Sequence, residues 1–523
     1  MNANRDTFAA EDTFDYVVIG AGSAGCTVAS RLSETGARVA LLEAGPSDTN
    51  PMIHIPAGVR SLLHHPKFNW NFSSEPEQSS GNRRIHWPRG KVLGGSSSIN
   101  GMLYVRGNPA DYDTWAQMGC RGWSYEEVLP YFKTSERYDR GDSAYRGRSG
   151  PLQVEDYRTI LPLTHHFVSA AQEAGFSFNP DLNGSSQDGV GYSQMTRLGR
   201  YRGSTARTYL ARAIHRDNLR VETNALTTGL ILEGKRCTGV AFEQDGRARR
   251  FKARKEVIVS GGAIGSPHIL QLSGIGPAAH LQAIGINPVL DLPGVGANLQ
   301  DHYVVRIIHR VRDEISINEL ARGLRLAREV VRFFFTGKGA LTFGITTAQV
   351  FCHSREGLVG PDIQLLFTPA SYDANKMLEL ERRPGFTLVV CPVRPASRGT
   401  IMAASADPHA HPRITPNYFT NPDDLRVMAA GFAHARRILA APSIARYSAG
   451  ELQPGPEVQS EQGLADYARD FGTTIYHPVG TCKMGEDPMA VVDARLRVRG
   501  IDGLRVADAS IMPVLTTGNT NAP

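Results

Sequence analysis

A glycine-rich turn near the start of the sequence has the residue types and spacing of a site that binds a dinucleotide. Gly20, Gly22 and Gly25 form a G-x-G-x-x-G pattern, and Ser23 and Ala24 separate its last two glycines. The first glycine permits a tight turn, the second lets the backbone approach a pyrophosphate, and the third allows close packing of a helix on a strand. Free N–H groups at the start of that helix would face the phosphates. The pattern therefore indicates a dinucleotide ligand, FAD or NAD.

The segments around this turn predict the elements that hold it. An apolar run at residues 16–19 indicates a buried strand, and residues 23–32 have a helical pattern. A second apolar strand at residues 39–42 ends in Glu43, which lies 18 residues after Gly25. A carboxylate at this distance is suited to accept a hydrogen bond from a ribose hydroxyl, and it disfavours a 2′-phosphate. Together these segments predict a βαβ unit.

A second glycine-rich loop offers another set of backbone N–H groups. Gly94, Gly95, Ser96 and Ser97 follow one another, so that two glycines precede two hydroxyls. Successive N–H groups in such a loop can form a concave anion site. The loop suits a phosphate or the edge of a flavin ring, and a plain surface turn is the alternative.

The histidines are the other candidates for chemistry, because imidazole titrates near neutral pH. Sixteen are present. His409 and His411 have the spacing of a metal pair, but no carboxylate or cysteine stands at ligand spacing from them, so we predict no metal site. His477 differs because it follows a short strand at residues 474–476 and precedes Pro478, which would fix its ring on a turn.

Composition excludes several classes of protein. Of the 523 residues, 41% are hydrophobic and 21% are charged, which is too apolar for an intrinsically disordered chain. The 57 basic and 51 acidic side chains give a net charge of +6 without a basic run, so no nucleic-acid partner is expected. Six isolated cysteines are typical of free thiols in a reducing compartment. The polar N-terminus and the lack of a long apolar stretch predict a cytoplasmic protein without a signal peptide or transmembrane helix.

The middle of the chain predicts mixed helices and strands. Residues 256–260 indicate a buried strand that leads into a helix near residues 267–272. Residues 219–222 and 239–242 suggest the two arms of a hairpin. Residues 317–335 carry arginines at helical spacing, followed by three phenylalanines. For this basic segment we favour a helix that packs on the core and has its arginines on a solvated face. A helix on a membrane surface is the alternative.

From residue 15 to residue 523 the sequence resembles the glucose–methanol–choline (GMC) family of flavoprotein oxidoreductases. Within that family it is most similar to choline-dehydrogenase-like bacterial alcohol dehydrogenases. The resemblance rests on separate motifs in the expected order. These are DYVVIGAGSAG at 15–25, GKVLGGSSSIN at 90–100, GAIGSP at 262–267, SGIG at 273–276, PGVGANLQDH at 293–302, YHPVGTC at 476–482 and GLRVADAS at 503–510.

The resemblance implies an α/β fold in which a Rossmann-type FAD-binding domain is interleaved with an α+β substrate domain built on an antiparallel sheet. The FAD-binding domain would comprise residues 13–160, 200–310 and 470–523. The substrate domain would comprise residues 161–199 and 311–469. The dinucleotide would be FAD, because the second and fourth motifs resemble flavin-loop segments.

The resemblance also implies how the flavin is held. The second glycine loop would lie along the flavin, with Asn100 and Gly101 near its reactive edge. Some members of the family attach the flavin covalently to a histidine in this loop. Ile99 stands at that position, so we expect FAD to be bound without a covalent link.

Three further residues are implied as contacts of the cofactor. Asp508 and Ala509 would hold its ribityl–pyrophosphate part, and a buried structural aspartate is the alternative for Asp508. The backbone at Leu226 would contact the adenine.

The resemblance assigns the chemistry to two residues. The histidine of the motif at 476–482, here His477, would lie over the flavin and remove the hydroxyl proton of an alcohol. Asn519 would be its partner, donating a hydrogen bond to the substrate oxygen and contributing to the cofactor site as well. Asn521 is the alternative if the alignment is shifted by two residues.

The implied function is FAD-dependent oxidation of a primary alcohol to the aldehyde, with hydride transfer to flavin N5. Electrons would pass to an external acceptor, either a quinone-like molecule or oxygen. Choline dehydrogenase proper is an alternative, although the arginines at 311–335 weakly disfavour a cationic substrate. A GMC-fold lyase or photoenzyme without net alcohol oxidation is another, which the presence of both His477 and Asn519 disfavours.

Two expectations concern the cellular setting and the end of the sequence. If the basic segment touches a membrane, the protein would be associated with its inner face as a peripheral partner. Chains of the family normally continue beyond the last proline, here Pro523, into a final helix. The sequence is therefore expected to be a fragment or to lack that helix.

Overall fold

Two large sheets organise the chain in the computed structural model, which describes residues 12–373 and 379–523. The predicted lack of a signal peptide concerns mainly residues 1–11, which lie outside the described residues. Within the described residues, no helix combines the length and the apolar character needed to cross a membrane. All six cysteines are free and buried.

The first sheet carries the glycine turn. Its parallel core forms because short β-branched runs are buried on both faces. The helix Ser23–Glu34 connects its first two strands, which confirms the predicted βαβ unit. The order of the strands across the sheet is Leu219–Glu222, Val39–Leu42, Thr13–Ile19, Arg247–Val259, Arg236–Gln244 and Ala225–Glu233, and Leu504–Val506 also pairs with Arg247–Val259.

The predicted hairpin is confirmed for its second arm, residues 239–242, and wrong for its first arm, residues 219–222. Arg236–Gln244 forms its hairpin with Ala225–Glu233. Leu219–Glu222 is instead the edge strand of the parallel part, beside Val39–Leu42. The chain leaves this edge strand through Asn224, whose φ of 54° breaks the extended run.

The second sheet is antiparallel. The order of its strands is Ser448–Gln453, Tyr303–Val311, Gly385–Pro392, Ile363–Thr368, Ala348–Cys352 and Gly189–Tyr192, and Thr473–Thr474 also pairs with Tyr303–Val311. The helices Pro162–Glu173 and Pro422–Leu439 pack on one face of this sheet through a shared apolar core. The predicted fold class, with a second sheet that is antiparallel, is confirmed. The domain boundaries stay a prediction, and Tyr303–Val311 spans the one placed at residue 310.

Smaller sheets and further helices complete the fold. Short strands pair as Phe72–Ser73 with His86–Trp87, Ile275–Gly276 with Leu290–Asp291, and Thr400–Met402 with Arg413–Thr415, and Glu136–Arg137, Leu152–Asp156, Gln194–Leu198 and Tyr201–Arg202 form a four-stranded sheet. The remaining α-helices are Pro51–His54, Val59–Leu62, Pro109–Gln117, Tyr125–Ser135, Thr205–Thr208, Gly262–Leu272, Ala278–Ala283, Ile317–Leu320, Gly323–Thr336, Pro442–Ala445 and Glu461–Phe471.

The helix Gly323–Thr336, which we call the arginine-rich helix, is exposed along most of its length. Glu329 and Phe333 are its buried residues. Leu324 is 90% exposed and Phe335 is 83% exposed. The favoured interpretation of a core-packed helix is therefore wrong for most of its apolar side chains.

Candidate active site

The glycine turn presents the N-terminus of the helix Ser23–Glu34 to a cavity. Gly20 has a φ of +92°, and a Cβ there would lie 2.5 Å from the oxygen of Ser260, so only glycine fits. A Cβ at Gly25 would lie 1.8 Å from the oxygen of Gly20, which explains the close approach of helix and strand. At Gly22, by contrast, no atom lies within 4 Å of the Cβ position. The backbone is thus open to a phosphate at this point.

Glu43 is buried at the end of its strand and organises the loops around it. Its Oε2 accepts a hydrogen bond from Ala21 N at 2.9 Å, and its Oε1 accepts one from Gly45 N at 2.9 Å. Burial raises the pKa of Glu43 to about 7, and the two N–H groups oppose that rise. Each carboxylate oxygen can accept more than one hydrogen bond, so the side chain can still receive a ribose hydroxyl.

The second glycine loop packs directly against the first. A Cβ at Gly95 would lie 2.6 Å from the Cα of Gly22, so the two loops touch through their glycines. Ser97 Oγ donates to the oxygen of Gly94 at 2.6 Å and lies 3.1 Å from Thr205 Oγ1. Gly94 and Ser97 therefore brace the loop from behind.

A buried arginine holds the far end of this loop. Arg202 Nη1 donates to Asn100 Oδ1 at 2.8 Å and to Asn100 O at 2.6 Å. Burial lowers the pKa of this guanidinium to about 9. Asn100 Oδ1 also accepts from Met102 N at 3.0 Å, so this oxygen is committed to the shape of the loop.

Asp508 fixes the start of the helix Gly262–Leu272. Its Oδ2 accepts from Gly262 N at 2.8 Å and from Ser266 Oγ at 2.5 Å, and its Oδ1 accepts from Ser510 N at 2.8 Å. Burial raises the pKa of this carboxyl, and the hydrogen bonds oppose that rise. These hydrogen bonds fit the alternative that Asp508 is a buried structural aspartate. Its contact with a cofactor stays a prediction.

One cavity of about 1040 Å³ brings most of the predicted residues together. Ligand sites commonly occupy roughly 300–1,000 Å³, so this volume suits a ligand as large as FAD. Ile99 lines it with an alkyl side chain, which offers no atom for a covalent bond to flavin. Three of the predicted residues do not line it, namely Gly25, Gly94 and Ser97. The predicted residues that line it are Gly20, Gly22, Ser23, Ala24, Glu43, Gly95, Ser96, Asn100, Gly101, Leu226, His477, Asp508, Ala509 and Asn519.

His477 enters this cavity from a turn that Asp301 anchors. The turn follows the strand Thr473–Thr474, and Tyr476 adopts a φ of +72°. Asp301 Oδ1 accepts from His477 N at 2.8 Å, and its Oδ2 accepts from the Tyr418 hydroxyl at 2.5 Å. Burial raises the pKa of Asp301 to about 6.

His302, which the sequence reasoning missed, sets the orientation of the His477 ring. The two Nδ1 atoms lie 2.9 Å apart, and His302 Nε2 lies 3.1 Å from Val393 O. A carbonyl oxygen only accepts, so a neutral His302 carries its proton on Nε2 and accepts from His477 at Nδ1. The lone pair of His477 is then on Nε2. The motif at 293–302 ends in His302, which is the signal that could have pointed to it.

Both imidazoles are held neutral by their surroundings. Burial lowers the pKa of His302 to about 4. Burial, followed by the influence of His302 and Arg89, lowers the pKa of His477 well below its ordinary value. A neutral imidazole with a free lone pair can take a proton from a hydroxyl.

Asn519 lies on the lone-pair side of His477. Its Nδ2 is 3.1 Å from His477 Nε2, and its Oδ1 is 3.5 Å from Gln364 Nε2. Asn521 makes a different contact, since its Oδ1 accepts from Ser23 Oγ at 2.7 Å. The geometry favours Asn519 over Asn521 as the partner of His477.

The histidine pair at 409 and 411 lines the same cavity as His477. His409 Nε2 is 3.1 Å from Glu243 Oε2, and both side chains are exposed. This carboxylate is distant in the sequence, so spacing could not have revealed it. Among residues 12–373 and 379–523, no three His, Cys, Asp or Glu side chains form a cluster that could hold a metal ion.

Comparison with known proteins finds similarity over nearly the whole chain. Two GMC oxidoreductase family models match residues 14–304 and 395–523. The chain is 43% identical to an alcohol dehydrogenase (acceptor) of Pseudomonas putida, over 98% of this chain and 93% of the relative. It is 41% identical to an oxygen-dependent choline dehydrogenase of Photobacterium profundum, over 98% and 91%. Pyridoxine 4-oxidase from Mesorbium loti has a similar fold, with a TM-score of 0.89, 29% identity and coverage of 97% and 96%.

Proposed function

This chain belongs to the GMC oxidoreductase family, and we propose that it oxidises a primary alcohol to the aldehyde with His477 as the base and Asn519 as its partner. It is an FAD-dependent oxidoreductase that acts on CH–OH groups, as its relatives are. The observation that carries the proposed roles is the distance of 3.1 Å between His477 Nε2 and Asn519 Nδ2. The contacts of His302 leave the lone pair of His477 on this Nε2. FAD supplies the hydride acceptor, flavin N5, when it is bound in the cavity.

The cofactor would be held by the residues that line the cavity between its two glycine loops. The open backbone at Gly22 and the helix N-terminus suit the pyrophosphate. Glu43 would accept a ribose hydroxyl, and Leu226 would lie against the adenine. Asp508 would act mainly by holding the helix Gly262–Leu272 in place against the ligand.

Each side chain near the substrate has a separate task in this proposal. His477 Nε2 accepts the hydroxyl proton, and Asn519 Nδ2 donates to the oxygen as negative charge develops there. His302 holds the ring in the tautomer that has its lone pair on Nε2. Arg89, whose charge lowers the pKa of His477, favours the later release of the proton.

We propose a quinone-like molecule or oxygen as the electron acceptor, and a membrane surface as a peripheral partner. Residues three or four apart on a helix share a face. On the arginine-rich helix, apolar and basic side chains therefore form two adjacent exposed faces, a pattern typical of helices that lie in the interface of an anionic membrane. The apolar face has Leu324, Val331 and Phe335, the basic face has Arg325 and Arg332, and Arg328 lies at the border between the two faces.

The experiment that tests the proposed reaction is an anaerobic absorbance spectrum of the FAD-loaded protein during addition of primary alcohols and choline. Bleaching of the flavin by an alcohol is expected, and readmission of air then separates an oxidase from a dehydrogenase. A His477→Ala variant that still bleached at the wild-type rate would defeat the assignment of the base. Flavin that no alcohol bleaches would instead favour a lyase or photoenzyme.

A further inference from the structure

One wall of the cavity is a face of the second sheet. Successive side chains of a strand point to opposite faces, so alternate residues of three neighbouring strands reach the cavity. The strand Tyr303–Val311 begins directly after His302, the residue that orients His477. This wall therefore continues from the proposed base, and the residues that form it are Val304, Arg306, Leu366, Thr368, Thr387 and Val389.

Arg306 is the charged side chain of this wall, and no acidic side chain among residues 12–373 and 379–523 pairs with it. In the described part of the chain, its guanidinium makes no ion pair or hydrogen bond. Arg310 on the same strand, by contrast, pairs with Glu381 at 2.6 Å. Its charge acts instead on two tyrosine hydroxyls. Burial raises the pKa values of Tyr372 and Tyr476 to about 12, and Arg306 is the largest opposing influence on both.

The cavity supplies no carboxylate that could neutralise this charge. Among the described residues that line the cavity, Glu43 and Asp508 are the only acids. Glu43 is bonded to backbone N–H groups beside the first glycine turn, and Asp508 to the start of the helix Gly262–Leu272. Arg306 is half-buried. A cation that is partly removed from water and has no partner is stabilised by a ligand that supplies the opposite charge.

We propose that the alcohol oxidised by this protein carries a carboxylate, which pairs with Arg306 while the hydroxyl meets His477. This inference rests on the proposed function and names its class of substrate. A guanidinium binds a carboxylate in a bidentate fashion, which would fix the orientation of the substrate. Arg306 is four strand residues from His302, a span of about 13 Å at roughly 3.3 Å per residue. Val304 lies between them on the same face, so a hydrocarbon spacer fits this interval.

The same features disfavour choline. Its trimethylammonium group would meet Arg306 where a carboxylate is needed for attraction. Arg89 also lines the cavity and adds a second positive charge near Tyr476. We therefore expect anionic alcohols to be preferred to neutral ones, and neutral ones to be preferred to cationic ones.

The test compares 6-hydroxyhexanoate, 1-hexanol and choline by their kcat/KM values in turnover of the holoenzyme with an added electron acceptor. The wild-type protein is expected to prefer 6-hydroxyhexanoate in kcat/KM. In Arg306→Gln, kcat/KM for 6-hydroxyhexanoate should fall by about ten- to a hundredfold, and that for 1-hexanol should change little, because a charge-assisted hydrogen-bonded pair is lost. Arg306→Lys should recover part of the loss. Arg310→Gln is the matched control, since Arg310 lies outside the cavity lining.

Hexanoate, which has no hydroxyl to oxidise, separates this inference from the proposed function. It is expected to perturb the flavin spectrum of the wild-type holoenzyme and not that of Arg306→Gln. If hexanoate binds through Arg306 and no alcohol bleaches the flavin, the proposed function fails and the anionic site stands. Equal losses for 6-hydroxyhexanoate and 1-hexanol in Arg306→Gln, a wild-type preference for choline, or hexanoate binding that is unchanged in Arg306→Gln would each overturn the inference.

Discussion

The ring of His302 stands almost perpendicular to that of His477, with an interplanar angle of 85° and 2.9 Å between the two Nδ1 atoms. Both rings are buried, so a proton on one Nδ1 must be matched by a lone pair on the other. Val393 O decides which ring has the lone pair, because it accepts from His302 Nε2. The chain of contacts therefore runs from a backbone carbonyl to the basic nitrogen of His477.

Replacing His302 by leucine should slow flavin reduction by about ten- to a hundredfold. The substitution leaves His477 Nδ1 without an acceptor, and an unsatisfied buried donor costs about 1–3 kcal/mol. His302→Asn retains an oxygen acceptor near the former Nδ1 and should recover part of the rate. Stopped-flow reduction of the flavin by one alcohol measures both. Equal rates for His302→Leu and His302→Asn would argue against a role of His302 in holding the tautomer.

The pH dependence of flavin reduction should reflect the lowered pKa of His477. Protonated imidazole cannot take the hydroxyl proton, so the rate falls as the pH drops through the pKa of His477. Because that pKa lies well below 6.5, the rate should be constant between about pH 8 and pH 7 and fall only in more acidic solution. Arg89→Met removes a cation that lowers this pKa. In this variant the rate of flavin reduction should therefore begin to fall at a higher pH.

Arg84→Met provides the control for this pH shift, since Arg84 is exposed and pairs with Glu75. It should leave the profile of rate against pH where the wild-type protein has it. A profile that Arg89→Met does not move toward higher pH would mean that the charge of Arg89 does not act on the base.

Asn519 and Asn521 form a matched pair for substitution by alanine. Asn519→Ala removes a donor from the position next to His477 Nε2, and the loss of one such donor costs about a hundredfold or more in kcat. Asn521→Ala removes a hydrogen bond to Ser23 at the glycine turn, so it should weaken FAD binding and leave the reduction rate of bound flavin near the wild-type value. The opposite pattern in single-turnover rates would mean that the shifted alignment is the right one.

The local parts of this site could be predicted from the sequence, because each depends on neighbours along the chain. The spacing of Gly20, Gly22 and Gly25 between an apolar run and a helical pattern predicts a turn followed by a helix N-terminus, and the strand at Val39–Leu42 ends where the apolar run ends. The position of His477 on a turn was visible in the same way. Its role came from the resemblance to a family and stays a proposal.

The parts that could not be predicted depend on pairing between distant segments. His302 meets His477 only because the strand Tyr303–Val311 pairs with Thr473–Thr474. The hairpin prediction failed in its first arm for the same reason, since the partner of an edge strand is decided by the whole sheet. Arg306 was likewise indistinguishable from a surface arginine until the alternation of its strand was placed against the cavity.

The affinity for FAD should depend on the ionisation of Glu43. Its pKa of about 7 in the protein without ligand means that the carboxyl gains charge between about pH 6 and pH 8. An ionised carboxylate is the stronger acceptor for a ribose hydroxyl, so FAD should bind more tightly as the pH rises through this interval. Glu43→Gln should weaken binding at pH 8 by about tenfold or more and remove the pH dependence.

The measurement for Glu43 is a titration of apoprotein with FAD at several pH values, followed by the change in flavin fluorescence. Glu34→Gln is the control, because Glu34 lies at the exposed end of the helix Ser23–Glu34 and pairs with Arg31. If the affinity of Glu43→Gln for FAD still changes with pH, the pH dependence belongs to another group.

The arginine-rich helix should attach the protein to vesicles that contain anionic lipid. Neutralising two of its arginines, as in Arg325→Gln with Arg328→Gln, should weaken binding to phosphatidylglycerol vesicles, since each basic residue near an anionic surface contributes about 1 kcal/mol. Leu324→Glu with Phe335→Glu should abolish binding, because carboxylates would replace the side chains that enter the interface.

Flotation of the holoenzyme with vesicles measures this attachment directly. Val359→Glu is the matched control, since Val359 is 87% exposed and lies outside the helix. Salt should weaken the wild-type interaction, because the attraction between exposed charges is screened. If Leu324→Glu with Phe335→Glu floats as well as the wild-type protein, the exposed apolar face has another purpose and the quinone-like acceptor loses its structural support. If only this variant and the arginine variant fail to float, the helix is the attachment site, and a membrane quinone becomes the acceptor to test first.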